Sequence, residues 1–174
     1  MLASSIINSV CFTGHRDLTN TEVSMLAVKL AQLLKLLIQN RRLQYCYAGG
    51  AIGFDTLASL TVLKLQKTHP ELKLNLILPC TGQESKWSPD QRKIYDNIKQ
   101  RANNVRILSP FFYNGCMQAR NKELLLSSDL CIAYLRHDAS VGGSLNTVIQ
   151  ATKLGIPVIN LADPESEYIN EISQ

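Results

Sequence analysis

Short apolar segments alternate with helical patterns along the whole chain, and this alternation restricts the fold more than any other feature. In residues 21–40, apolar side chains recur about every 3.6 residues, which predicts a long amphipathic helix, and Thr19 and Glu22 form a capping box before it. The same patterns predict strands at 6–13, 44–48, 72–78, 105–108, 130–135 and 158–161. They predict further helices at 54–68, 89–102, 117–127 and 145–154, and a short final helix from Asp163 and Pro164.

This order of elements predicts an α/β fold, a Rossmann-like doubly wound and mainly parallel sheet flanked by helices on both faces. The chain has 174 residues, of which 45% are apolar and 18% charged, so we expect one domain over residues 1–174. Ligands bind such sheets outside the carboxyl ends of the strands. The distinctive residues of this chain follow those strand ends, whereas the loops at the opposite edge are ordinary polar turns. We therefore predict one ligand site at the carboxyl edge.

Two glycine-rich turns each join a predicted strand to a predicted helix, AGGAIGFD at 48–55 and VGGSLNT at 141–147. A helix N-terminus presents free N–H groups and a partial positive charge, and glycine lets an anion approach the backbone closely. The turns could also serve only to reverse the chain tightly, but their position at the predicted ligand edge favours a phosphate site. The residues predicted to hold phosphate are Gly49, Gly50, Gly53, Gly142, Gly143, Ser144 and Thr147.

Other polar residues follow the same strand ends and complete the predicted site. Arg16 and Arg120 would neutralise the charge of an anionic ligand, although Arg16 could also be a solvated surface residue. Gln83 and Trp87 would address a base or sugar, but a loop glutamine commonly faces water and Trp87 could pack against Tyr95. The flanking motifs add two further ligand-binding candidates, Gly14 and Asn121.

Several common functional classes lack their motifs in this chain. The first turn has the spacing GGxxG and not GxGxxG, and the strand that follows ends in Pro79-Cys80 without the acid that holds a ribose. No P-loop and no GxSxG nucleophile motif occur. The five cysteines show no zinc-ligand spacing, so we predict no metal site and identify no cofactor beyond a nucleotide-derived ligand.

Charge and hydropathy indicate a soluble intracellular protein. The formal charge of +4 is small and has no basic cluster, so we expect an anionic small molecule as partner and not nucleic acid. We expect no membrane association and a cytoplasmic location, because no signal peptide is evident and no apolar run approaches the roughly 18 residues of a membrane span. Cys11, Cys46 and Cys131 fall in apolar strands and are predicted to be reduced core residues.

Five motifs in order resemble the YpsA-like branch of the SLOG superfamily. They are FTGHR at 12–16, GGAIGFD at 49–55, PCxGQxxxW at 79–87, GCMxxRN at 115–121 and GGSxNTV at 142–148. The resemblance covers about residues 8–161 and implies a Rossmann-like fold associated with nucleotides and nucleotide-derived ligands. It is also compatible with a homo-oligomer, because SLOG relatives often form dimers. The resemblance transfers no settled activity.

Comparison with the LOG phosphoribohydrolases of the same superfamily separates three functional hypotheses. Their MxxRK segment, with its catalytic arginine, is similar to Met117-x-x-Arg120-Asn121, but their PGGxGTxxE glutamate has no counterpart at 141–150. Asp55 is the only nearby acid in a matching motif, and it could instead cap the second helix. The first hypothesis is a sensor or binding module for a nucleotide-like ligand. The alternatives are a LOG-like hydrolase of N-glycosidic bonds, with Arg120 and Asp55 catalytic, and a DprA-like binder of single-stranded DNA.

Overall fold

The computed structural model describes residues 6–164 and Ile172, and strands and helices alternate throughout this part of the chain. The final helix predicted from Asp163 and Pro164 falls on residues outside the described ones. The strands are β1 (Ser9–Gly14), β2 (Tyr45–Ala48), β3 (Lys73–Leu78), β4 (Asn104–Ile107), β5 (Leu130–Tyr134) and β6 (Val158–Asn160). The helices are α1 (Asn20–Arg41), α2 (Phe54–Leu65), α3 (Pro89–Arg101), α4 (Cys116–Leu126) and α5 (Gly143–Lys153).

The strands form one sheet in the order β4-β3-β2-β1-β5-β6, and every neighbouring pair is parallel. This confirms the predicted Rossmann-like α/β fold. The chain moves outward from β1 to β4 and then returns to the other side of β1 to form β5. The connections after β1 and β5 therefore lead to opposite faces of the sheet. The crevice between these two connections is the topological switch point of the sheet.

Each face of the sheet has its own apolar core. Helices α1, α2 and α3 build the larger core, in which Phe12 and Phe54 are fully buried. Helices α4 and α5 build the smaller one, which contains Cys11 and Cys131 from the two adjoining central strands. Helices therefore lie on both faces, as predicted. The five cysteines are free thiols and all are buried, which confirms the core positions predicted for Cys11, Cys46 and Cys131.

The helices begin in two different ways. Capping boxes begin α1 at Thr19 and α3 at Ser88, as their sequences predict. Helix α5 begins at Gly143, two residues earlier than the pattern indicated, because glycine is a poor helix former and the periodic signal starts only at Leu145. The second glycine turn therefore supplies the first turn of α5 itself. No helix in the described ranges is long and apolar enough to cross a membrane.

A carboxylate clamp joins the start of α1 to the end of β5 across the switch point. Arg136 donates from Nε to Glu22 Oε1 at 2.7 Å and from Nη2 to Oε2 at 2.9 Å. The Tyr134 hydroxyl and the Thr19 backbone N–H donate to the same carboxylate. These bonds hold the pKa of Glu22 well below its usual range, and the hydrogen bond from Arg136 has the largest effect. The clamp fixes the two connections that flank the crevice.

We expect Glu22→Gln to lower the free energy of unfolding at pH 7 by about 1.5–3 kcal/mol, because charge-assisted hydrogen bonds are lost. A carboxylate with a depressed folded-state pKa stabilises the protein above its unfolded-state pKa, and loses that effect as the pH falls. The difference between wild type and variant should therefore be complete above about pH 4.3 and shrink below it. Urea unfolding over a pH series measures this.

The matched control is Glu123→Gln, which removes a surface ion pair with Arg106. The side chains of Arg106 and Glu123 are both more than a third exposed. We therefore expect Glu123→Gln to change the free energy of unfolding by only about 0–1 kcal/mol. Equal losses in the two variants, or a loss for Glu22→Gln that does not vary with pH, would contradict the clamp.

Candidate functional site

A cavity of about 270 Å³ occupies the switch point at the carboxyl end of β1. Its walls come from the β1–α1 connection, the start of α2, the first turns of α4 and the turn that begins α5. Eight of the residues singled out from the sequence line it, namely Gly14, Arg16, Asp55, Arg120, Asn121, Gly142, Gly143 and Ser144. The fold thus gathers segments that are far apart in the chain at the edge where ligands bind such sheets.

The N-terminus of α5 faces this cavity with its backbone donors free. The N-cap is Gly142, no side chain caps the helix, and its first turn contains no acidic residue. The leading N–H groups of a helix lack intrahelical acceptors, so those of Gly143, Ser144 and Leu145 are available to a ligand. The Ser144 hydroxyl donates to Gly14 O at 2.7 Å, which ties the turn to the end of β1. This helix start is suited to an anion.

Arg120 is a buried cation in the wall of the cavity, with an exposed fraction of 5%. Its Nη1 donates to Gly49 O and its Nε to Asn121 Oδ1 at 2.8 Å. Asn121 in turn donates to Thr147 Oγ1 at 2.9 Å, which links α4 to α5. The third guanidinium nitrogen, Nη2, has no hydrogen-bond partner among the residues the structure describes. Burial lowers the pKa of Arg120 and the nearby charge of Asp55 opposes that shift.

Asp55 brings a carboxylate into the same cavity and is also buried, with an exposed fraction of 7%. Its Oδ2 accepts from the N–H groups of Gly49 at 3.0 Å and Ala51 at 3.1 Å. Burial raises the pKa of Asp55, against the opposing effects of Arg120, the two backbone bonds and Arg16. Helix α2 has no side-chain cap, so the alternative of Asp55 as a helix cap is wrong. Asp55 instead fixes the turn that precedes α2.

The glycines of the first turn lie behind the cavity wall, and their predicted phosphate contacts remain a prediction. A Cβ on Gly49 would stand 2.0 Å from Arg120 Nη1, and one on Gly53 would stand 2.4 Å from Arg16 O. Gly53 also has φ +79°, a conformation that favours glycine. In the structure, Gly49 therefore admits the Arg120 guanidinium and Gly53 admits the chain segment that carries Arg16. Gly50 lies against Leu78.

Three other predicted residues have contacts inside the protein and do not line the cavity. Gln83 Nε2 lies 3.3 Å from Gly50 O and 3.2 Å from the Tyr95 hydroxyl. Trp87 packs edge-on against Tyr95, with ring centroids 5.3 Å apart. The Thr147 hydroxyl donates to Gly143 O at 2.8 Å. Gln83 and Thr147 therefore support the two glycine turns, and Trp87 covers the Tyr95 that Gln83 contacts.

The apolar wall of the cavity and the Glu22–Arg136 clamp were not singled out from the sequence. Met117, Leu124 and Leu135 line the cavity together with the charged groups. Met117 could have been predicted from the sequence, because it lies in the motif that contains Arg120. The clamp partners are 114 residues apart, and no local pattern connects them.

Arg16 is exposed at the cavity, whereas Asp55 and Arg120 are buried. It lines the cavity, and neither a hydrogen bond nor an ion pair to another described residue holds its guanidinium. Its positive charge acts on both Asp55 and Arg120. The cavity therefore combines two cations, one carboxylate and a free helix N-terminus.

Comparisons with known proteins agree with the motifs in this site. The family model YpsA, described as the YspA SLOG family, matches residues 10–155. A UPF0398 protein of Brevibacillus brevis is 32% identical over 102 residues, covering 59% of this chain and 54% of that protein. A UPF0398 protein of Halalkalibacterium halodurans is 30% identical over 125 residues, covering 70% and 64%. The uncharacterized SPbeta prophage-derived protein YoqJ of Bacillus subtilis is 29% identical over 146 residues, covering 77% and 84%.

The chain thus spans little more than half to two thirds of the length of the first two relatives. The family model covers more of this chain than either of these two relatives does. It extends from β1 through α5 and so contains both glycine turns, Asp55 and Arg120. The protein therefore belongs to the YpsA SLOG family.

Proposed function

We propose that this protein binds a nucleotide or nucleotide-derived small molecule in the switch-point cavity and acts as a sensor or binding module. One observation carries the proposal. The free N-terminus of α5 and the unbonded Nη2 of buried Arg120 face the same cavity. A phosphate group would satisfy both, because each offers N–H donors and positive charge.

The starts of α1, α2 and α3 at this edge differ from the start of α5. The first turns of α1 and α3 are occupied by their own capping boxes. At the turn before α2, Asp55 already accepts from two backbone N–H groups, so a negative charge of the protein occupies that position. The α5 start is lined by Gly142, Gly143 and Ser144 and has no such occupant.

The cavity is small and has both apolar and charged walls. Its volume of about 270 Å³ lies just below the usual range of small-molecule sites, which suits a mononucleotide or a part of a larger ligand. Met117, Leu124 and Leu135 offer an apolar surface beside the charged groups. Membership of the YpsA SLOG family adds an independent reason, because the superfamily is associated with nucleotide-derived ligands.

Thermal unfolding against a panel of nucleoside mono- and diphosphates, dinucleotides, ADP-ribose and cyclic dinucleotides tests this proposal. A ligand that binds only the native state at about 100 times its Kd stabilises it by roughly 2.7 kcal/mol, which gives a clear shift in Tm. We expect a dose-dependent shift with one class of phosphate-bearing ligand, and none with the matching nucleosides. A panel that leaves Tm unchanged throughout would contradict a nucleotide site.

We expect Gly143→Pro to weaken binding of the identified ligand by about tenfold, because it removes one backbone N–H of α5 that would donate to the phosphate. Proline suits the first position of a helix, and a Cβ at Gly143 meets open space. Gly142 before it has ψ 167°, outside the α region that a following proline disfavours. Gly143→Ala, which retains the N–H, is the control and should bind within about twofold of wild type. Isothermal titration provides the affinities and ligand-free Tm values check folding. Similar affinities for all three proteins would remove this N–H from the site.

A second candidate function is hydrolysis of a nucleotide N-glycosidic bond, favoured by the presence of Asp55 and Arg120 in one cavity. Burial raises the pKa of Asp55, as a general acid requires. In this reaction water adds to the anomeric carbon, the bond to the base breaks, and the base leaves with a proton.

Incubation with each nucleoside monophosphate that binds, followed by chromatography, should then release free base and ribose 5-phosphate in equal amounts. Asp55→Asn should lower kcat by at least about a hundredfold, because an amide cannot supply the proton. A protein that binds monophosphates but releases no base is a binding module and not this hydrolase.

A further inference from the structure

One oxygen of Asp55 has no function in the fold. Both backbone hydrogen bonds of this side chain, from Gly49 and Ala51, go to Oδ2. Oδ1 accepts no hydrogen bond from the described residues, although Asp55 is almost fully buried and lines the cavity. Oδ1 is not among the fully enclosed side-chain atoms that lack a partner in the described residues, so it is open to the cavity and not sealed in the core. Oδ1 therefore has the position of a ligand acceptor.

The neighbouring cation does not satisfy this oxygen. Asp55 and Arg120 form no ion pair, although each charge influences the pKa of the other. The backbone of Gly49 stands between them, since its N–H donates to Asp55 and its C=O accepts from Arg120. The cavity thus keeps an acceptor at Asp55 and a donor at Arg120 as separate points. A ligand that matches both must carry a hydrogen-bond donor as well as an anionic group.

The charges around Asp55 restrict what that donor can be. A ligand ammonium group would lie near the positive charges of Arg120 and Arg16, which disfavour a second cation. A bare polyphosphate has no donor and would place further negative charge beside the carboxylate. A neutral hydroxyl on the same molecule as the phosphate avoids both penalties.

We propose that Asp55 Oδ1 is a hydroxyl-recognition site, and that the ligand is therefore a phosphorylated sugar, either free or as the ribose phosphate of a nucleotide. The phosphate lies at α5 and Arg120, and a sugar hydroxyl donates to Oδ1. This inference rests on the proposed function, since the phosphate must first bind there.

The decisive comparison uses the wild-type protein and needs no variant. Isothermal titration with AMP and with 2′,3′-dideoxy-AMP isolates the hydroxyls, because the two ligands share base and phosphate. We expect AMP to bind at least about tenfold more tightly, the effect of one charge-assisted hydrogen bond. Ribose 5-phosphate identifies the source of the chemistry. An affinity equal to that of AMP assigns the site to a free sugar phosphate, and a weaker one assigns it to a nucleotide.

Asp55→Asn then tests whether this side chain reads the hydroxyl. The amide oxygen can still accept from Gly49 and Ala51, whereas the NH₂ group replaces Oδ1 and cannot accept. We expect the preference for AMP over the dideoxy ligand to fall to within about threefold, because only a neutral hydrogen bond remains. Asp96→Asn, an exposed change on α3, removes the same charge and should leave the preference unaltered.

The outcomes separate the inference from the function on which it rests. Binding of AMP and dideoxy-AMP with equal affinity would overturn hydroxyl recognition and leave the phosphate site in place. A preference that persists unchanged in a folded Asp55→Asn would assign the hydroxyl to another residue and would also overturn the inference. If neither monophosphate nor ribose 5-phosphate binds, the inference fails, whereas the proposed function is decided by the other ligands of the thermal-unfolding panel.

Discussion

The backbone of Gly49 holds the candidate site together, because its two hydrogen-bonding groups engage side chains of opposite charge. Its N–H donates to Asp55 and its C=O accepts from Arg120, which is 71 residues further along the chain. Only a residue without a side chain permits this approach, since a Cβ would lie 2.0 Å from the guanidinium. The separation of the two charged side chains therefore depends on this one residue.

Local patterns in the sequence were sufficient to predict the architecture. The alternation of apolar strands and periodic helices predicted the parallel sheet with helices on both faces, and the capping boxes at Thr19 and Ser88 are present as predicted. These features depend on residues a few positions apart, whose spacing follows directly from helix and strand geometry. The carboxyl edge as the place of a cavity followed from the same reasoning.

The sequence could not show that the two glycine turns differ in whether their backbone N–H groups are already bonded, because this depends on distant partners. Both turns have similar sequences, yet Asp55 satisfies backbone donors of the first, whereas the second begins α5 with its donors free. Gln83 and Trp87 share an edge with the cavity but are drawn into contacts with Tyr95. A sequence shows which residue types follow each strand, but it does not show which neighbours satisfy their hydrogen bonds.

Burial of Asp55 and Arg120 without a direct ion pair has a consequence for how this protein can evolve. In the absence of a ligand, the native state contains two desolvated charges that are matched only by the backbone and neighbouring side chains. The cavity is thus a point of electrostatic frustration in a fold that is otherwise locally consistent. Substitutions that remove both charges would relieve it and abolish the site together. Under the proposed function, selection for binding and selection for thermal stability act in opposite directions on these two positions.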